Sequence, residues 1–338
     1  MSFRRVRLAS QGHALPPHYL TSDEIEGQLA ALYDRLKLPA GRLELMTGIK
    51  RRGYWPLGTR PSSIAIAAAE HALGDFNRSR IGLLVHASVC RDFLEPATAS
   101  VVHRALGLSA QCEFFDLSNA CLGVVTAALR AAEMIESGRI EAALIVSGEN
   151  SGPLLLKTIE KLQNDASITR QSIKRHIASL TIGSAGAAWL LTREELAPHA
   201  PRIAGAVSRV DSSAVELCQG SGSLEELVME TDSEELMKRG VLLASQTVQD
   251  YLQKFKRPQH IIPHQVGSTH RAAFLAALAI ADARDSVSYE LFGNTGSAAL
   301  PLTLSLAQRS GELSHARDLL LAGIGSGLVS TLFSLEYV

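Results

Sequence analysis

The order of strand-like and helix-like segments repeats within this chain. In the first half, an apolar run over 114–117 leads to Cys121, then to an Ala-rich helical pattern and a strand pattern that runs into glycine. In the second half, the run over 260–263 leads to His264, then again to an Ala-rich helical pattern and a strand pattern that runs into glycine. Alternating strands and amphipathic helices favour a layered α/β architecture.

This repeat predicts two halves of similar topology, residues 1–195 and residues 196–338, each built on its own mixed sheet. The residues of the halves are not alike, so the repeat is one of element order. It also predicts that Cys121 and His264 occupy equivalent strand-to-helix junctions, where the two side chains face each other across a pseudo-twofold axis.

Two further segments give the predicted organisation more detail. Thr21 and Glu24 form a capping-box pattern, which predicts a helix that continues to about Leu36. Residues of about 151–180 interrupt the strand rhythm with helical patterns. We expect this helical insertion to form a lid, a pocket wall or a surface excursion.

Composition excludes several classes of protein. The 338 residues are 46% hydrophobic and 20% charged, and the net charge of −1 provides no field for binding nucleic acid. The N-terminus has no signal-peptide pattern, and no apolar run is long enough to span a bilayer. Four cysteines without metal-ligand spacing predict a reducing cytoplasm and neither a metal site nor a disulfide framework: Cys90, Cys112, Cys121 and Cys218.

Cys121 is the first candidate for chemistry. A cysteine at the start of a helix lies near unsatisfied N–H groups, and the positive end of the helix dipole favours the thiolate. A thiolate is the nucleophile required for acyl transfer. Cysteine is also among the residues most often buried, so a purely structural role is the alternative.

Two other sequence motifs contain polar residues that are candidates for the active site. His264 follows an apolar run and a proline in Pro263-His264-Gln265, and Asn294 lies in the tight segment Gly293-Asn294-Thr295-Gly296. Taken singly, a buried core histidine and an ordinary Asn-Gly turn explain them as well.

Together these contexts resemble the thiolase superfamily, in particular the ketoacyl synthase III branch of condensing enzymes. That resemblance covers nearly the whole chain, including Gly323-Ile324-Gly325-Ser326-Gly327-Leu328. It implies a thiolase fold with αβαβα layers, a Cys121 that carries the acyl group, and His264 and Asn294 that bind the enolate oxygen. Ser326 helps to order the site, and backbone N–H groups of Cys121 and of the loop at 325–326 are candidates for stabilising the tetrahedral intermediate.

A fourth motif narrows the resemblance. The segment Cys90-Arg91-Asp92-Phe93-Leu94-Glu95-Pro96 is similar to the matching stretch of the OleA family, whose members join two fatty acyl-CoA molecules. The resemblance implies a non-decarboxylative Claisen condensation that gives a 2-alkyl-3-ketoalkanoic acid. It also implies acyl-CoA as substrate without a cofactor, and a homodimer in which Glu95 is donated across the interface as general base. Enzymes that consume the product are possible further partners.

The base distinguishes this chemistry from its alternative. A malonyl unit forms its enolate by losing carbon dioxide, whereas an ordinary acyl-CoA needs a group to remove its α-proton. The alternative is a ketoacyl synthase III-like condensation with malonyl-carrier protein, or acyl transfer in secondary metabolism. Met46 and Gly267 replace the Arg and Asn usual in that branch, which weakens the alternative. A scaffold of the same fold without activity is a third hypothesis.

One binding prediction rests on charge alone. Lys50, Arg51 and Arg52 form the basic run after Thr47-Gly48-Ile49, and we expect them to contact the phosphates of CoA. A solvated basic surface is the simpler interpretation.

Overall fold

A ten-stranded mixed sheet dominates the computed structural model, which describes residues 1–221, 228–280 and 282–337. The strand order is β12-β11-β13-β14-β8-β1-β7-β6-β4-β5. The ten strands are β1 (Val6–Ala14), β4 (Ile81–Ala87), β5 (Glu113–Leu117), β6 (Ala142–Glu149), β7 (Ala185–Arg193), β8 (Arg202–Val210), β11 (His260–Pro263), β12 (Arg284–Asp285), β13 (Asp318–Gly325) and β14 (Val329–Glu336). Two small antiparallel pairs complete the described strands: β2 (His18–Thr21) with β3 (Arg51–Tyr54), and β9 (Cys218–Ser221) with β10 (Val228–Thr231).

The sheet consists of two five-stranded halves that have the same arrangement of strands when each is followed from its outer edge inward. On one side β4 pairs in parallel with β5 and β6, and on the other β11 pairs in parallel with β12 and β13. The halves meet between β1 and β8, where Arg7 and Arg202 are the single paired residues. The expected duplication of mixed-sheet halves is therefore confirmed.

The principal helices form three layers around the two half-sheets. The outer layer of the first half contains α4 (Pro61–Leu73) and α5 (Thr98–Ala105), and that of the second half contains α9 (Ser233–Leu252) and α10 (Ser268–Leu278). The middle layer contains α6 (Gly123–Glu136) and α12 (Ala299–Ser310), whose apolar side chains share one core with strands of both halves. This is the predicted αβαβα arrangement.

The helical insertion is also confirmed, as α7 (Gly152–Asn164) and α8 (Lys174–Leu180). It packs against α1 (Ser22–Gln28), α2 (Ala30–Leu36) and α3 (Arg42–Thr47) around a separate apolar cluster. A further short helix, α11 (Tyr289–Phe292), precedes the loop of Asn294. No helix among the residues described is both long enough and apolar enough to cross a membrane.

The predicted helix from Thr21 begins as expected but is not continuous. Thr21 Oγ1 accepts the Glu24 N–H at 3.1 Å and the Glu24 carboxylate accepts the Thr21 N–H at 2.7 Å, which completes the capping box. Leu29 then leaves helical geometry, with φ −98° and ψ 15°, and separates α1 from α2. The break lets both helices turn apolar side chains toward the insertion.

The predicted equivalence of Cys121 and His264 is wrong. Cys121 follows β5, at the edge of its half-sheet, whereas His264 follows β11, whose counterpart is β4. The counterpart of α6 is α12, so the loop carrying Asn294 occupies the position that corresponds to Cys121. Each half contains two junctions at which a strand is followed by a loop and a helix. The sequence pattern matched the Cys121 junction of the first half to the wrong junction of the second.

Candidate active site

A single large cavity collects most of the predicted site residues. It has a volume of about 2080 Å³ and is lined by Cys121, His264, Asn294 and Ser326. Apolar side chains from the insertion, from β10 and from α9 and α10 provide much of the remaining wall: Leu154, Ile177, Met229, Leu236, Met237 and Phe274. The insertion is therefore a pocket wall.

Cys121 lies in the turn between β5 and α6, two residues before the helix begins at Gly123. Ala120 adopts a positive φ of 45°, and its carbonyl accepts the Ser297 hydroxyl at 2.5 Å. Burial, and then the neighbouring Glu149 and Cys218, raise the pKa of the Cys121 thiol to about 12. The start of α6 favours the thiolate, as the sequence suggests, but burial of the sulfur acts in the opposite direction and is the larger effect.

His264 is placed as a neutral ring. Burial, and then the nearby His270, lower the pKa of His264 to about 4. Gln265 anchors the segment, because its side-chain oxygen accepts the N–H groups of Ser288 at 2.7 Å and Tyr289 at 3.1 Å. At physiological pH an imidazole of this kind can donate one hydrogen bond without carrying charge.

Asn294 is fixed by its backbone. Its N–H donates to Thr181 O at 2.9 Å, and its carbonyl accepts the Gly183 N–H at 2.9 Å. Its side-chain oxygen accepts the Gly296 N–H at 3.1 Å, which leaves the NH₂ group available as a donor. His264 and Asn294 thus contribute two neutral donors to the cavity, as an oxyanion site requires.

Ser326 lies in the turn between β13 and β14 and orders a neighbouring thiol. Its hydroxyl donates to Cys218 Sγ at 3.3 Å, and the Thr231 hydroxyl donates to the same sulfur at 3.4 Å. These contacts tie the β13–β14 turn to the β9–β10 pair at the wall of the cavity. Sequence analysis did not place Cys218 near the site.

Glu95 is the predicted site residue that the chain does not bring to its own cavity. Residues 89–94 of the connection between β4 and α5 line one end of the cavity, but Glu95 does not. Its side chain is exposed on the outer surface, next to Leu94, which is 98% exposed. The peptide bond from Glu95 to Pro96 is cis.

The predicted phosphate contacts are not at the cavity. Lys50 pairs with Glu290 at 3.7 Å, and the Arg51 guanidinium lies 4.3 Å from the centre of the Tyr19 ring. Arg52 is fully buried, donates to Ser22 Oγ at 3.1 Å, and has a pKa that burial lowers to about 10. The expectation for Arg52 is therefore wrong, because its charge holds β2 and α1 together beneath the surface.

A different set of cations lines the cavity. They come from the connection after α2, from the start of α3 and from the insertion, and all are exposed: Lys37, Arg42, Arg170, Lys174 and Arg175. Arg170 also donates to the carbonyls of Leu36 and Lys37, which joins the two segments. We call these five residues the mouth cluster. The sequence does not reveal this cluster, because Lys37 and Arg42 lie more than a hundred positions before its other three members and meet them only in the folded chain.

Glu149 is the other functional candidate that sequence analysis missed. It ends β6, is 1% exposed and lines the cavity near Cys121. A signal was present, since an acidic residue closes an otherwise apolar strand in Ile145-Val146-Ser147-Gly148-Glu149.

Family models match two parts of the chain. Residues 256–337 match the model described as 3-oxoacyl-[acyl-carrier-protein (ACP)] synthase III C terminal, and residues 115–155 match the model described as 3-oxoacyl-[acyl-carrier-protein (ACP)] synthase III. The first match contains His264, Asn294 and Ser326, and the second contains Cys121.

Two curated relatives match over the full length. The acyl-CoA:acyl-CoA alkyltransferase of Xanthomonas campestris is 37% identical over 334 residues, which covers 97% of this chain and 97% of the relative. The enzyme of the same name from Shewanella oneidensis is 35% identical over 352 residues, with 100% of both chains covered.

Solved structures of Xanthomonas campestris OleA match the fold. A variant with a cysteine replaced by alanine superposes with a TM-score of 0.94 at 35% identity, covering 100% of this chain and 98% of that one. A variant with bound lauric acid and lauroyl-CoA gives a TM-score of 0.93 at 35% identity, covering 99% and 100%. Other matching structures are variants at a histidine or a glutamate.

Proposed function

Because the chain belongs to the acyl-CoA:acyl-CoA alkyltransferase family, OleA, within the ketoacyl synthase III-like enzymes, we propose that it joins two fatty acyl-CoA thioesters head to head. The product is a 2-alkyl-3-ketoalkanoic acid, formed without decarboxylation through an acyl group on Cys121. The observation that carries this proposal is one large, partly apolar cavity that contains Cys121 together with the neutral donors His264 and Asn294.

The first half-reaction transfers an acyl group to sulfur. Cys121 Sγ forms a bond to the thioester carbon, the bond from that carbon to the CoA sulfur breaks, and the thiol proton passes to the leaving CoA sulfur. Because burial holds the pKa of Cys121 near 12, loss of the proton accompanies attack on a bound thioester rather than preceding binding.

The second half-reaction forms the carbon–carbon bond. A base removes the α-proton of a second acyl-CoA, and the negative charge develops on its thioester oxygen. His264 and Asn294 donate to that oxygen, and the enolate carbon attacks the acyl carbon and releases Cys121. Water then hydrolyses the remaining thioester, so that two acyl-CoA and one water give the keto acid and two CoA.

Glu95 from a second copy of the chain is our candidate for the base. Within its own chain Glu95 lies outside the cavity. Residues 89–94 line the cavity and include three exposed apolar side chains, those of Val89, Phe93 and Leu94. Beside them, β5 is the outermost strand of its half-sheet, and Phe114 and Phe115 are 43% and 38% exposed. An unpaired strand edge with exposed aromatic side chains favours pairing with another chain. A symmetric dimer formed there would bring each Glu95 to the partner's open cavity.

The mouth cluster is our candidate for binding the CoA phosphates. Its five cations surround a cavity that leads to Cys121, whereas Lys50 and Arg51 lie outside the lining. Phosphate groups are bound by converging Arg and Lys donors.

Product analysis with one substrate tests the proposal. Purified protein is supplied with myristoyl-CoA alone, and products are followed by mass spectrometry. We expect the keto acid and the ketone that it forms by losing carbon dioxide. Turnover that requires a malonyl thioester would support the ketoacyl synthase III-like alternative instead.

A further inference from the structure

Glu149 is a buried acidic residue that none of the steps above uses. Its carboxylate is 1% exposed, and no Lys, Arg or His among the described residues pairs with it. Isolated buried carboxylates are costly unless several donors satisfy them. Its surroundings should therefore show what keeps it in place.

Three backbone N–H groups from two separate segments satisfy Glu149. Oε1 accepts the N–H of Val89 at 3.0 Å and the N–H of Ser297 at 3.0 Å, and Oε2 accepts the N–H of Cys90 at 3.2 Å. Val89 and Cys90 begin the connection that carries Glu95. Ser297 belongs to the Asn294 loop, residues 293–298.

The same contacts extend to the nucleophile. The hydroxyl of Ser297 donates to the carbonyl of Ala120, the residue before Cys121. Gly296 is required at its position, because it has a φ of +58° and an added Cβ would lie 3.0 Å from Glu149 Oε1. The Asn294 loop is therefore packed on the carboxylate on one side and bonded to the Cys121 turn on the other.

We propose that Glu149 is a positioning residue, which holds the Asn294 loop and the segment leading to Glu95 in place beside Cys121. This inference rests on the proposed function, because it assigns Glu149 to the alignment of nucleophile, oxyanion donor and base. Glu149 acts through those groups and does not itself touch the reacting carbon.

The charge of Glu149 provides a readout that a merely structural residue would lack. Burial raises the pKa of Glu149, and the N–H donors of Val89, Cys90 and Ser297 oppose that rise because they favour the carboxylate. The groups that face Cys121 are Glu149 on β6, Cys218 on β9, Cys90 in the β4–α5 connection and His264 after β11. Burial is the largest cause that disfavours the Cys121 thiolate, and the negative charge of Glu149 comes next, since His264 is neutral. Removing that charge should make Cys121 more reactive even as it disorders the site.

The experiment compares Glu149→Gln with Glu149→Asp and with Glu133→Gln, a partly buried control on α6 that pairs with Arg130 at 2.9 Å. Iodoacetamide alkylation of Cys121 is timed at pH 8, and condensation of myristoyl-CoA is measured on the same preparations. Alkylation does not depend on the natural substrate, so it reports on Glu149 even if the proposed function fails.

We expect Glu149→Gln to alkylate at least severalfold faster than the unsubstituted protein, while its condensation kcat falls by about tenfold or more. Glu149→Asp keeps the charge and should lose condensation without a gain in alkylation. The control should change neither rate. Unchanged condensation in Glu149→Gln would overturn the proposal, and so would unchanged alkylation.

Glu149→Asp covers the case in which Glu149→Gln does not fold. Its carboxylate is one carbon shorter and should not reach the N–H groups of Val89, Cys90 and Ser297 together. A folded Glu149→Asp protein with unchanged condensation kcat would contradict the proposal.

Discussion

The cavity around Cys121 and the surface loop around Glu95 differ in how much of the chemistry one chain contains. Both halves of the chain contribute side chains to the cavity lining: Cys121 from the first half, and His264, Asn294 and Ser326 from the second. Glu95 is exposed and does not line its own cavity, although residues 89–94 of the same loop do. The proposed function therefore assigns acyl transfer to groups of one chain and removal of the α-proton to Glu95 of a second chain.

Replacing Cys121 by Ala removes the group that both half-reactions need. We expect no acyl adduct by intact-protein mass spectrometry and a loss of condensation of at least about a thousandfold, as for other covalent nucleophiles. An adduct retained in C121A would place the nucleophile elsewhere.

Replacing Glu95 by Gln should separate the two half-reactions. Loss of a general base lowers condensation by about 100- to 10,000-fold, whereas the acyl group still reaches Cys121. The measurement is the product rate together with the mass of the acylated protein. Glu160→Gln is the control, since Glu160 is an exposed acid on α7 that pairs with Lys157 at 3.0 Å and does not line the cavity. If E95Q also lost the adduct, the proposed division would be wrong.

Replacing His264 by Ala should lower kcat for condensation by about 100- to 1,000-fold, because one oxyanion donor is lost. The pH profile gives a second test. With a pKa of about 4, His264 remains neutral above that value and becomes charged only as the pH falls through it. The profile between pH 6 and 9 should therefore contain no inflection that disappears in H264A, and an inflection of that kind near pH 6.5 would contradict the assignment.

The mouth cluster should act on substrate binding alone. Lys174→Ala with Arg175→Ala removes two exposed cations, and we expect KM for acyl-CoA to rise by about two- to tenfold with little change in kcat. Lys50→Ala is the matched control, because Lys50 lies outside the cavity lining. A larger effect from Lys50 would restore the site predicted from the sequence.

The smallest expected effect concerns the support of the Glu95 loop. Asp116 accepts the N–H groups of Thr98 and Ala99 at 2.8 Å and so caps α5, the helix that follows the loop. Asp116→Asn should weaken this cap by about 1 kcal/mol and lower condensation a fewfold, with normal acylation of Cys121. Equal losses in both half-reactions would indicate general destabilisation.

Much of the fold follows from local patterns in the sequence. The capping box at Thr21, the strand before Cys121 and the insertion all appear where the residues predict them, because periodicity and turn chemistry act over short distances. The pairing of Cys121 with His264 failed for a different reason. Equivalence depends on strand order in the sheet, and the sequence does not contain strand order.

Part of the candidate site could likewise be predicted from local motifs, and part depends on the folded chain. Cys121, His264, Asn294 and Ser326 were identified from their motifs, and the structure places all four at one cavity. The protonation of Cys121, the burial of Arg52 and the bridging contacts of Glu149 depend on desolvation and on segments that meet only in the folded chain.

The most direct test of the central claim is a mixed dimer of two inactive chains. C121A and E95Q proteins with different affinity tags are coexpressed, and the heterodimer is isolated and given myristoyl-CoA. If Glu95 serves the partner's cavity, one of the two sites has an intact Cys121 and an intact Glu95, and condensation should recover to about half that of the unsubstituted dimer. If Glu95 serves its own chain, neither site is complete, and a heterodimer without activity would contradict the account.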